Sequence, residues 1–377
     1  MPSLLRPFGG TLDLRIVVVL VGMLVAGSPM RASAQQPEPP PPAAPHYPSL
    51  HISGFGDVNF SAVNRADGPK NFSLGQFVLH MASELAPRVT FFGEISFTAR
   101  SDAGTGSPSA TGFNAEVERM AIRFEESDRL KISFGRYHTP INYWNTAFHH
   151  GQWLQTTISR PEMIRFGGQF LPVHFVGGLV EGSAPAGGLN LNYKVGVGNG
   201  RASVISRAGD PGDSNDSVAW LANAFVRPDA VFGLDLGGSF YGDTITLANG
   251  GEVDEQIVAG HAVWSREDPE LIGEIASVRH HDALSGQVTW SHAYYVQAAY
   301  RLPQAGALWK PYFRFEHIGV PDEDTAFQSV PELDQVTLGV RHDITLFAAI
   351  KGEYRTWTRG AGSSRDHGGF LQIAFTF

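Results

Sequence analysis

The side chains best suited to chemistry in this sequence are crowded into one stretch, residues 138–168. It carries His138, His149, His150, Arg160 and Arg165 together with Tyr143, Trp144 and Trp153. Imidazole, guanidinium and amphipathic rings offer charge and hydrogen bonds to a solute moving past them. They do not by themselves make a bond-breaking centre. The chain has no G-x-S-x-G, H-E-x-x-H or P-loop pattern to supply a nucleophile, a zinc-bound water or a phosphate cradle. Two histidine pairs, His149-His150 and His280-His281, raise the question of a metal. Adjacent residues on a strand point to opposite faces, so neither pair makes a ready chelate, and neither a metal nor a cofactor is expected.

Further charges recur at alternate positions of otherwise apolar segments, and those segments define the architecture. In 89–100, Val89, Phe91, Ile95 and Phe97 fall on one face of a strand, with Thr90, Glu94, Ser96, Thr98 and Arg100 on the other. A helix would place Glu94 and Arg100 among the apolar groups. The final segment alternates in the same way, Leu371, Ile373, Phe375 and Phe377 against Gln372, Ala374 and Thr376. About sixteen such segments follow one another, a number within the range of bacterial barrels. Their approximate spans are 50–63, 72–85, 88–101, 113–126, 129–137, 169–182, 188–199, 216–227, 230–243, 253–266, 270–281, 287–302, 308–319, 333–342, 345–359 and 367–377. Each is close to the length, about ten residues, that crosses a tilted barrel wall.

The connections carry as much information as the segments. Every other link is short: Ala86-Pro87, Ser127-Asp128, Pro228-Asp229, Asp268-Pro269 and Asp343-Ile344. Between them come longer polar or glycine-rich links such as 102–112, 200–215, 244–252 and 320–332. Short turns at one rim and long loops at the other are the asymmetry of an outer-membrane barrel. An even strand number puts both chain ends at the short-turn rim, which agrees with a chain ending on its last strand. Trp264 and Trp309 fall near the short-turn rim and Trp290 and Trp357 near the other, as interfacial rings would.

The expected fold class is therefore all-β, a transmembrane antiparallel barrel of about sixteen strands over residues 49–377. The longest connection, 138–168, is the third long one and is expected to fold into the lumen. The 377 residues include no cysteine and carry a net charge of −9, so disulfides and thiol chemistry are excluded and no nucleic-acid partner is expected. Arg6 and Arg15 precede the apolar run 16–27, and Ala32-Ser33-Ala34 follows as a cleavage site, which reads as a signal peptide over residues 1–34. Residues 35–48 read as a proline-rich periplasmic tether. Cleavage removes Arg6, Arg15, Arg31 and Asp13, leaving a mature chain of net charge −11.

A cation facing lipid at the bilayer midplane costs about 2–4 kcal/mol, so charges within strands should face the lumen. With the apolar face taken as outward, Arg100, Arg119, Arg123, Lys131, Lys310, Arg314, Arg341, Lys351, Arg355 and Arg359 point inward. The acidic counterparts are fewer: Glu84, Glu94, Asp235, Glu316 and Glu353. A basic wall inside an acidic shell would concentrate anions. The alternative is mutual neutralisation of Lys351, Glu353 and Arg355, and of Arg314 with Glu316. Arg119, Arg123 and Lys131, just before the long connection, are expected at the constriction. The expected activity is passive diffusion of small hydrophilic solutes, not catalysis. A barrel hydrolase, or a plugged structural or adhesin barrel, is the alternative.

The segment Gly135-Arg136-Tyr137-His138-Thr139-Pro140-Ile141 resembles the glycine-x-aromatic-basic-Thr-Pro element of the phosphate-selective porins O and P, where it leads from a strand into the long third loop. His138 stands where that family commonly has a lysine. The C-terminal strand ending in Phe377 is similar to the terminal signature read by the outer-membrane assembly machinery. The resemblance implies a homotrimeric, anion-conducting pore in the lipid of the outer membrane, with Arg136 and His138 at the entrance to the narrowing loop.

Overall fold

The computed structural model describes residues 47–377, apart from 66–67, 101–111, 168, 214 and 361. The expected signal peptide and most of the proline-rich tether lie outside the described residues. Sixteen strands follow one another: β1 (His51–Val63), β2 (Lys70–Ala86), β3 (Val89–Ala99), β4 (Phe113–Ser127), β5 (Leu130–His138), β6 (His174–Ala184), β7 (Leu191–Asn199), β8 (Ala219–Val226), β9 (Leu234–Thr246), β10 (Glu252–Ser265), β11 (Glu270–Asp282), β12 (Val288–Ala299), β13 (Trp309–Gly319), β14 (Leu333–Thr345), β15 (Ala348–Arg359) and β16 (Asp366–Thr376). Each pairs antiparallel with its sequence neighbours, and β1 pairs with β16, so the sheet closes into a barrel. Closure removes the edges and pairs the ladder groups on both sides of every strand. At the seam, Gly54 and the C-terminal Phe377 exchange backbone hydrogen bonds of 2.9 and 3.0 Å. Among the described residues no helix is long and apolar enough to cross a membrane.

The alternation read from the sequence governs which side chains face out. Val58, Leu74, Phe77, Met120, Ile122, Phe134, Val195, Val258, Ile275, Val296, Leu338 and Ile373 are all exposed, forming an apolar exterior. Trp290 and Trp309 are exposed with them. Trp357 is the exception among the expected rim rings. It shares the parity of Lys351 and Glu353 and packs on the buried cluster instead.

Several strand boundaries differ from the sequence reading by three residues or more, and three of them have local reasons. β6 begins at His174 rather than 169, because Phe170 and Leu171 are both buried and break the alternation, and Pro172 has no N–H to donate. β9 begins after Gly233, whose φ of 84° ends a turn. β12 stops before the short turn Pro303–Ala305. The rims are less uniform than the sequence suggested: links 247–251 and 283–287 are short on the loop-bearing side, and 300–308 is long on the other.

Buried residues of the interior face form one hydrophobic cluster. It joins Leu221, Tyr241, Val253, Ile257, Ile272, Val278 and Tyr295 from β8–β12 with Ile141, Trp144, Ile164, Phe170 and Leu171 from the long connection and Phe327 from 320–332. The strands of this half therefore carry apolar side chains on both faces, with buried carboxylates such as Glu255 and Glu274 among them on the inner one.

Candidate functional site

The connection between β5 and β6 runs from 139 to 173 and holds a single helical turn, α1 (Trp144–Ala147). No side chain of its own caps that turn. The carboxylate of Glu274 on β11 accepts from the amides of Tyr143 at 2.8 Å and Trp144 at 2.6 Å, satisfying donors that a helix start leaves orphaned. Further bonds join the connection to the interior face of other strands. Asn142 N–H donates to Ser239 of β9, Ile158 N–H to Glu353 of β15 at 2.6 Å, and Glu162 N–H to Glu316 of β13 at 2.6 Å. Arg314 of β13 is fully buried and donates to Thr157 Oγ1, to both oxygens of Ser159 and to the Arg160 carbonyl. Lys351 of β15 donates to the carbonyls of Gln152 and Thr157.

The start of the connection is fixed by the segment 135–141. Gly135 has a φ of 139°, and a Cβ there would strike the Met120 carbonyl of β4, so only glycine fits. Arg136 is buried, donates to the Val117 and Glu118 carbonyls, and pairs with Asp210 at 2.7 Å. His138 faces Glu94 at 3.1 Å.

Around His138 the structure gathers a cluster that the sequence did not suggest. His149 and His150 follow α1 in a loop rather than lying on a strand, so both rings turn to the same place. They meet His138 and the first residue of β6, His174, with Glu118 of β4 beside them. His149 Nδ1 bonds Asn145 Oδ1 at 2.9 Å, and its Nε2 lies 2.8 Å from His174 Nε2. Burial, with His138 and His174 adding to it, pushes the His149 imidazole well below the ordinary histidine range. His149 therefore stands neutral. Arg160 caps the group, donating to the His149 carbonyl at 3.1 Å and lying 3.6 Å from the Phe166 ring centroid. For His280-His281 the strand argument holds: His280 is buried and His281 half-exposed, on opposite faces of β11.

Every other cation expected at the lumen is placed as follows. Arg119 reaches Glu94 at 3.4 Å, Arg123 reaches Glu181 at 3.0 Å, and Lys131 reaches Glu125 at 3.6 Å. Lys310 pairs with Glu270 at 2.7 Å and Arg341 with Asp343 at 2.8 Å. Arg314 pairs with Glu316 at 2.8 Å and Arg355 with Glu353 at 2.5 Å, the mutual neutralisation considered above. Arg100 is exposed just beyond β3, Arg165 is half-exposed beside Glu162 at 3.5 Å, and Arg359 reaches the same carboxylate at 3.2 Å.

Among the described residues, eleven carboxylates are buried against seven lysines and arginines, while Arg119, Arg123, Lys131, Arg355 and Arg359 are only partly buried. Glu118 was missed because the β3–β4 register shifts between Glu94 and Ile95. The extra residue turns Glu118 to the same side as Arg119, where it accepts from Ser96 Oγ at 2.6 Å. Asp243, Glu255, Glu270 and Glu274 were missed because the strands carrying them have large apolar side chains on both faces, so hydrophobicity does not mark the exterior.

Open space remains on the opposite wall. A cavity of about 400 Å³ is lined by Arg65, Arg165, Arg355, Arg359, Glu162 and Trp357, among others. A second, of about 360 Å³, lies among Asp57, Asn59, Ser73, Gln152, Ser159 and Gln372, and shares Arg355 and Phe370 with the first. Four arginines and one glutamate line the first cavity; Glu162 reaches both Arg165 and Arg359, while Asp366 and Glu353 stand beside Arg65 and Arg355, and Arg65 and Arg165 are half-exposed there. Arg119, Arg123 and Lys131 line neither of these cavities.

No protein-family model matches the sequence, and no curated relative matches it. Solved structures do match the fold. An anion-selective porin from Comamonas acidovorans superposes with a TM-score of 0.62 at 14% identity, over 88% of this chain and 100% of that one. OmpF of Salmonella typhi, solved with daunomycin, gives 0.60 at 12% identity over 87% and 97%. The outer membrane channel DcaP of Acinetobacter baumannii gives 0.56 at 12% over 88% and 97%. The likeness is one of fold, over nearly the whole of the described barrel.

Proposed function

We propose that the protein is an outer-membrane porin through which small hydrophilic solutes diffuse passively, with a preference for anions. The observation that carries this reading is the pair of adjoining cavities beside residues 152–165, one of them walled by Arg65, Arg165, Arg355 and Arg359. Its support is a closed barrel with an apolar exterior, and a long connection bonded to interior side chains of β9, β11, β13 and β15. In this reading the connection 139–173 lies in the lumen, fills the half lined by β8–β12, and leaves the passage along β1, β15 and β16. Solutes entering it would meet four arginines against three carboxylates, Glu162, Glu353 and Asp366, an excess that raises the local concentration of anions. The phosphate-like preference rests only on the resemblance of residues 135–141.

Export to the outer membrane would use residues 1–34 as signal, and assembly would use the C-terminal strand. A homotrimer is proposed on the resemblance, and Vibrio cholerae OmpT, a barrel of similar fold, has been solved in a trimer form. The competing reading is a plugged barrel, favoured by the hydrophobic cluster that joins the long connection to β8–β12. Reversal potentials in a salt gradient across a planar bilayer separate the readings. The wild type should favour chloride, and R165Q/R359Q should move the reversal potential toward cations. A cation-selective wild type would overturn the anion preference, and a silent bilayer would favour the plug.

A further inference from the structure

We propose that Glu118, His149 and His150 bind one divalent transition-metal ion with zinc-like preferences, tying the long connection to the barrel wall. One ligand atom from each of these residues lies within 4.8 Å of the others, and all three side chains are buried. Imidazole nitrogens and a carboxylate oxygen are the donors zinc takes outside thiolate sites, at about 2.0–2.2 Å.

Ring orientation selects this set over its neighbour. His138 stacks on His149 with centroids 3.5 Å apart and planes 14° apart, so the in-plane lone pairs of those two rings run side by side. His150 stands at 75° to His149, which lets their lone pairs converge. The tautomer is set as well. The bond from His149 Nδ1 to Asn145 Oδ1 leaves Nε2 turned toward the cluster, the arrangement by which an outer partner orients a ligating histidine.

Unmet hydrogen-bonding capacity points to the same place. His150 Nε2 and Glu118 Oε2 are buried atoms without a well-directed hydrogen bond, with His174 Nε2 2.9 Å from that oxygen. Nε2 of His150 lies 3.3 Å from Glu118 Oε1, too poorly directed for one. His174, whose Nε2 is 2.8 Å from His149 Nε2 and 2.9 Å from Glu118 Oε2, is the nearest group for a fourth position. The surrounding charges are mixed: Arg136 lies 3.6 Å from Glu118 and Arg160 lies against the His149 backbone, while Glu94 faces His138. Half-buried Phe166 stacks on His150 at 4.6 Å, and its neighbours Arg165 and Gly167 are exposed.

The test uses the full-length mature barrel in detergent, stripped with a chelator and titrated with Co²⁺ as a visible-absorption probe. One ion per chain should bind, giving a tetrahedral-type ligand-field band that Zn²⁺ displaces. E118Q and H150A should each weaken binding at least about tenfold, while H281A leaves it unchanged. X-ray absorption of the zinc-loaded wild type should show a nitrogen and oxygen shell with imidazole scattering, which keeps the test intact if a variant fails to fold. Binding below one ion per chain, binding indifferent to both variants, or a shell without imidazole would each overturn the proposal.

Discussion

The amide of Trp144 donates to the carboxylate of Glu274 at 2.6 Å, joining residues 130 positions apart and holding the first turn of the long connection against β11. Glu274 also accepts from Tyr143, so one side chain satisfies two donors. Removing it strands both, at about 1–3 kcal/mol for each buried donor left unpaired. E274A should therefore loosen the connection while the barrel still folds. Single-channel conductance should rise and become noisier, and an unchanged conductance would show that this contact does not position the connection.

Arg314 and Glu316 form the second anchor, buried on β13 at 2.8 Å. Losing one member of such a pair leaves an uncompensated charge, and R314M should cost about 3–5 kcal/mol. R314M/E316Q should recover part of that loss. Urea unfolding from lipid vesicles measures it, and strict additivity of the two substitutions would contradict the coupling.

Gly75 has a role that no motif announces. A Cβ at this position on β2 would land on the carboxylate of Asp57, which is buried and accepts from Asn59 at 2.7 Å and from the Gln76 amide at 3.0 Å. G75A should destabilise the barrel, and D57A in the same chain should rescue it. If D57A fails to rescue, the clash is not the cause.

The connection 320–332 should respond to acid. Burial alone would raise the Asp324 carboxyl, but hydrogen bonding and charge from His280, with the Phe327 amide, outweigh it and hold the carboxyl below the usual range. Glu255 lies behind His280 at 3.0 Å, with Arg201 beyond it, and Ser291 donates to Asp324 at 3.2 Å. A carboxyl depressed in the folded state stabilises fully above its unfolded value near 3.8 and loses that contribution as pH falls through its folded value. Hydrogen exchange in 320–332 should accelerate in that acid range, and D324N should exchange quickly at neutral pH as well. Equal protection in D324N would count against the assignment.

Much of the barrel was legible because period-2 alternation is a local signal. In β3, Phe91 and Ile95 face out while Glu94 faces in, as the pattern requires. The interior was less legible. On β10, Val253 and Ile257 are buried inside while Val258 is exposed outside, so hydrophobicity no longer tells the faces apart. The interior apolar residues there pack on Trp144 and Phe170, which arrive from a distant stretch of chain. The bulge at Glu118 reverses one residue's direction without leaving a mark in the composition. The histidine cluster was hidden because His149 and His150 meet His174 and Glu118 only through tertiary folding.

The central claim, that the barrel conducts, is tested most directly by single-channel recording of the purified protein in planar bilayers, with chloride, phosphate and a neutral sugar compared. Discrete ohmic steps, carried by chloride and phosphate and reduced by a sugar too large for the passage, are predicted. Absence of steps from folded, inserted protein would contradict the account and leave a plugged barrel in its place.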